Sequence, residues 1–73
     1  MKKMYFQPGV YAHLSELAYP YDFEVTRNPY WLQVVLKKDG KQKTKTMKIL
    51  TDTGNCKTIA FMIKELRKEF ENG

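Results

Sequence analysis

The dipeptide Asp39-Gly40 does more than any other feature to limit how this chain can fold. Both central positions of a type I′ turn need φ > 0, and Asp-Gly between alternating runs is a strong short-range hairpin signal. Tyr30 to Lys37 leads into it, with Tyr30, Leu32, Val34 and Leu36 on one side and Trp31, Gln33, Val35 and Lys37 on the other. Gln42 to Leu50 returns from it. A two-residue turn pairs Leu36 with Lys43, Val34 with Lys45, Leu32 with Met47 and Tyr30 with Ile49. A three-residue turn would instead turn Thr44 and Thr46 inward and expose Met47 and Ile49, so the first register is preferred. It carries a cost: Lys43 and Lys45 then face the core side near the tip. The hairpin must overrun the core there, or a bulge must flip the two lysines.

A further period-two stretch precedes the hairpin. In Tyr21 to Asn28, Tyr21, Phe23 and Val25 alternate with Asp22, Glu24 and Thr26. A tight turn at Asn28-Pro29 would pair Val25 with Leu32 and Phe23 with Val34. Helical spacing appears at both ends of the chain. Val10, Leu14, Leu17 and Ala18 suggest a short helix over residues 10–18, ended by Tyr19-Pro20. Ile59, Met62, Ile63, Leu66 and Phe70 form a narrow stripe on a closing helix over 56–71, with Asn55 or Thr53 as its N-cap. Residues 1–9 read as a lead-in, in which Met4-Tyr5-Phe6 suits a brief strand broken by Pro8-Gly9. The expected fold is α+β: a three-stranded antiparallel meander over residues 21–50, with both helices on one face. At 73 residues this is a single small domain. Chains of this size bury only about 60% of their unfolded surface, which leaves little room for a deep cleft.

Charge is concentrated in the same hairpin. Lys37, Lys38, Lys41, Lys43, Lys45 and Lys48 stand against Asp39 alone, which accounts for the whole formal net charge of +5. Elsewhere seven cations meet seven carboxylates. A localised like-charged prong repels itself unless it meets an anionic partner, or it serves to keep a sheet edge soluble. The uncovered sheet face would carry Trp31, Gln33, Lys37, Gln42, Thr44, Thr46 and Lys48. These offer a stacking ring, base-edge hydrogen-bonding groups and cations for phosphate. A solvated antiparallel face is also ordinarily rich in Thr, Gln and Lys.

The leading expectation is a non-enzymatic nucleic-acid-binding domain, for DNA or RNA. Lys38, Lys41, Lys43 and Lys45, with Lys37 and Lys48, would hold phosphate, while Trp31, Gln33, Thr44 and Thr46 meet bases or sugar. The alternative is a protein-interaction module: an inhibitor or adaptor for an acidic protein surface, or a homodimer joined through an exposed strand or Phe61. On the closing helix, Lys57, Phe61, Lys64 and Lys68 fall opposite the core stripe and make a secondary basic surface. A solvated helix face explains the lysines equally well, and Phe61 is expected to find some buried contact. Stand-alone basic domains of this size are frequent among phage and mobile-element accessory proteins.

Catalytic and cofactor readings find little support. His13 and Cys56 are the single histidine and cysteine. They are far apart in sequence, and together they are too few for a zinc site. Cys56 at a helix start could be activated, yet a packing role is commoner there. No phosphate-binding glycine loop is present, so no cofactor and no metal are expected. No apolar run reaches bilayer length, and MKKMYFQPG lacks a signal-peptide h-region. One cysteine suits a reducing compartment, so the expectation is cytoplasmic, with no membrane partner.

The order α-β-β-β-α over about Val10 to Phe70 resembles the double-stranded-RNA-binding domain. Asn55-Cys56-Lys57-Thr58-Ile59-Ala60 opens the second helix in that family's phase. Of its lysine cluster only Lys57 is present, and Arg27-Asn28-Pro29-Tyr30 stands where the family has Gly-Pro-x-His. The last four elements also resemble the sheet-plus-helix DNA-binding domains of integrase arms and plant-type transcription factors, whose sheet enters the major groove. Both likenesses imply a fold more than a function.

Overall fold

The computed structural model describes residues 2–49 and 56–72. Its order is β1 (Lys2–Lys3), α1 (Pro8–Ala18), β2 (Asp22–Arg27), β3 (Trp31–Lys38), β4 (Lys41–Lys48) and α2 (Cys56–Asn72). The expected antiparallel meander is present as β2-β3-β4, with a helix before and after it. β1 adds a two-residue strand at the β2 edge, so the sheet has four strands in the order β1-β2-β3-β4. The lead-in strand is therefore Lys2–Lys3 rather than Met4–Phe6, although the Met4 N–H still donates to the Val25 carbonyl at 2.8 Å. The expected cap residues Thr53 and Asn55, and Leu50 at the end of the third expected strand, lie outside the described residues.

Helix α1 starts two residues earlier than its apolar spacing suggests, because Pro8 occupies the first turn. Proline suits that position, where its missing N–H is not needed. The hairpin forms as its turn residues dictate. Asp39 and Gly40 take φ of 53° and 79°, and Lys38 pairs with Lys41 across a two-residue turn. Leu36↔Lys43, Val34↔Lys45 and Leu32↔Met47 follow, without a bulge.

The β2–β3 register differs from expectation by two residues. Val25 pairs with Val34 and Phe23 with Leu36, because Pro29-Tyr30 rather than Asn28-Pro29 forms the turn. The Asn28 side chain decides this. Its Oδ1 accepts from the N–H groups of Tyr30 and Trp31 at 2.8 and 2.7 Å, while the Asn28 N–H donates to the Trp31 carbonyl at 3.0 Å. An Asn ahead of Pro is well placed for such a local side-chain turn. An even shift leaves every side chain on its expected face. Tyr30 is the exception: it sits in the turn and is 68% exposed, not on the core side. Asn28→Ala removes both accepted hydrogen bonds and is expected to cost about 1 kcal/mol. Thermal unfolding checks this, and the emission of Trp31, the chain's one tryptophan, should report a loosened turn.

The core lies between the sheet and both helices. Leu14 and Ala18 of α1, Val25, Leu32, Val34 and Leu36 of the sheet, and Ile59, Met62, Ile63 and Leu66 of α2 are buried. Phe70 packs at its margin. Arg67 Nη1 donates to the Leu17 carbonyl at 2.8 Å and ties α2 to the end of α1. No described helix is long and apolar enough to cross a membrane.

Candidate functional site

With both helices on one side, the opposite face of the sheet has no cover among the described residues. Register places Trp31 across from Lys48, Gln33 from Thr46, Val35 from Thr44 and Lys37 from Gln42. The expected open-face residues therefore do come together, with Trp31 at 43% exposure. The Thr26 hydroxyl donates to Gln33 Oε1 at 3.2 Å and orients that amide. Both carboxylates of this face, Asp22 and Glu24, sit on β2, and Glu24 is met by Lys37 at 3.4 Å. The β3–β4 half thus carries no acid. Lys3 joins the face opposite Thr26 through β1. Sequence reasoning missed it, because a two-residue strand leaves no periodic signal.

The other hairpin lysines face the opposite way. Lys38, Lys41, Lys43 and Lys45 alternate with the open-face set and project to the helix side. The expected grip, with these four on phosphate while Trp31, Gln33, Thr44 and Thr46 meet bases, is therefore split across two faces of one ribbon. Two of the four also have partners within the fold. Lys38 Nζ lies 5.4 Å from the Tyr21 ring centroid, and Lys43 Nζ lies 5.8 Å from that of Phe70. These rings pack at 4.7 Å against each other, beyond the last aliphatic layer of the core. An ammonium over a ring face is attracted by its quadrupole, and the lysine stems cover apolar surface while the charge stays wet. The hairpin overruns the aliphatic core, as one branch of the sequence reading requires. The inward placement of the two rings was legible, though not their contacts with the lysines: Tyr21 opens the inward-facing alternation that leads into β2, and Phe70 ends the stripe of α2.

The secondary surface forms on the outer side of α2, away from the open sheet face. Lys57, Lys64 and Lys68 are exposed there, and Lys68 lies 3.6 Å from Glu65. Phe61 is 52% exposed, less covered than expected. His13 is exposed on α1. Comparison with protein-family models, curated proteins and solved structures finds no match to this chain. The likeness to double-stranded-RNA-binding and integrase-arm domains is one of element order.

Proposed function

We propose that this protein is a small non-enzymatic nucleic-acid-binding accessory domain of the cytoplasm, acting through the open face and tip of the β3–β4 hairpin. The observation that supports this reading is the make-up of that half-sheet. An exposed indole, an oriented amide and two threonines stand in adjacent cross-strand rows, flanked by Lys37 and Lys48 and free of carboxylates. Phosphate contacts give affinity, whereas ring and amide groups give preference among bases. Lys37 and Lys48 flank the face and Lys38 and Lys41 stand at its tip, all exposed, so these four are assigned to phosphate. Trp31, Gln33, Thr44 and Thr46 are assigned to bases or sugar. Strand spacing of about 4.8 Å makes a two-stranded ribbon narrow enough for a duplex groove about 12 Å wide.

The test is fluorescence anisotropy of labelled duplex DNA, duplex RNA and single strands, with Trp31 emission followed in the same titrations. Submicromolar binding that prefers one ligand, with a change in Trp31 emission, is the expected result. Weak binding that ignores ligand type and leaves Trp31 unchanged would overturn the assignment.

A further inference from the structure

β4 is the outermost strand of the sheet, and among the described residues nothing pairs with its outer edge. Which main-chain groups it presents follows from the ladder. The Ile49 N–H donates to the Tyr30 carbonyl at 2.8 Å, and the two-residue turn closes on Lys38↔Lys41. Odd-numbered residues of β4 therefore exchange hydrogen bonds with β3. Gln42, Thr44, Thr46 and Lys48 point their N–H and C=O groups outward. Eight residues make this a long edge by ordinary standards.

Such an edge is a template for another strand, and its side chains select which one. A second copy of β4 is a poor match. Antiparallel self-pairing centred on Thr44 sets Lys43 opposite Lys45, and centring on Lys43 or Lys45 sets that lysine opposite itself; centring on Thr46 avoids like charges but pairs only residues 44–48 of the strand. Like charges directly opposite are destabilising. Lys43 and Lys45 are half-buried on the helix side, and neither forms an ion pair among the described residues. A strand with carboxylates at alternate positions would place them directly across from these ammoniums. Its intervening residues would lie beside Gln42, Thr44 and Thr46.

We infer that the free edge of β4 is a docking site for an extended acidic segment of a partner protein, added as a fifth strand. The site is the main-chain edge of β4 and its helix-side lysines; it shares Thr44 and Thr46 with the open face but does not rest on the nucleic-acid reading.

The test uses the whole chain and a labelled peptide, Glu-Val-Glu-Thr-Glu-Val-Glu, with a charge-reversed Lys-Val-Lys-Thr-Lys-Val-Lys control. The acidic peptide is expected to bind and to slow amide hydrogen exchange at Gln42, Thr44, Thr46 and Lys48. The amides of Lys43 and Lys45 are already bonded to β3 and should change little. Thr44→Pro removes an outward donor without touching the β3 ladder, and is expected to weaken peptide binding at least about tenfold. The free chain should stay monomeric as its concentration rises. Peptide binding without protection of those four amides would overturn the inference, since simple attraction to lysine gives that result. So would protection of the same amides by an oligonucleotide and not by the peptide, or dimerisation through β4.

Discussion

Leu32→Ala is expected to remove a large share of the domain's stability and to lower its melting temperature far more than any open-face substitution does. Leu32 is fully buried on β3, between Arg27 of β2 and Met47 of β4, and faces the helices. Removing a buried leucine costs about 2–5 kcal/mol, the spread reflecting how far the site collapses. A chain of this length has only roughly 4–11 kcal/mol in total, at about 0.05–0.15 kcal/mol per residue. The loss should lower the melting temperature by roughly 8–40 °C, at about 4–8 °C per kcal/mol. Val35→Thr is the control: Val35 lies on the same strand but on the open face, and its replacement should stay within about 0.5 kcal/mol. Circular dichroism melts of the two variants decide the matter. Equal losses would mean that β3 buries both faces and that the open surface is not open.

The contrast between these two residues was legible in the sequence, and so was most of the fold. Alternation with period two assigns Leu32 and Val35 to opposite faces, and Asp39-Gly40 sets the hairpin register because few residues tolerate its two positive φ angles. The β2–β3 register was not legible in the same way. Asn28-Pro29-Tyr30 allows two turns that differ by an even step, and the hydrophobic pattern fits both. Two hydrogen bonds to the Asn28 side chain select between them. Sequence places the lead-in strand at Met4-Tyr5-Phe6 rather than Lys2–Lys3, because Lys2-Lys3 has no apolar residue to mark a buried face. The candidate surface was legible residue by residue, but its grouping was not. Charge counting treats six lysines as one patch, whereas the pleat sends Lys37 and Lys48 to one side and Lys38, Lys41, Lys43 and Lys45 to the other. Sequence also could not show that Lys38 and Lys43 rest on Tyr21 and Phe70, since those contacts join residues from three separate elements and the segment before β2.

Exposure divides the same lysines differently, with Lys37, Lys38, Lys41 and Lys48 exposed and Lys43 and Lys45 half-buried, and this second division yields a measurable difference in salt dependence. On duplex DNA, affinity falls with a log–log slope of about −0.9 per phosphate neutralised. Four contacts from Lys37, Lys38, Lys41 and Lys48 give about −3.6, which is about a 150-fold loss between about 50 and about 200 mM salt. Lys41→Ala/Lys48→Ala should halve the slope to about −1.8 and reduce the loss over the same range to roughly 12-fold. Lys43→Ala/Lys45→Ala, which changes the same amount of formal charge, should leave the slope near its original value, because those two side chains are half-buried behind the exposed tip that carries Lys38 and Lys41. The two double variants separate a directed interface from a generally basic hairpin. A diffuse cloud of charge would flatten the slope equally in both. A flattened slope in the Lys43/Lys45 variant alone would transfer the phosphate contacts to the helix side of the ribbon, where Trp31 and Gln33 could not read the bases of the same ligand.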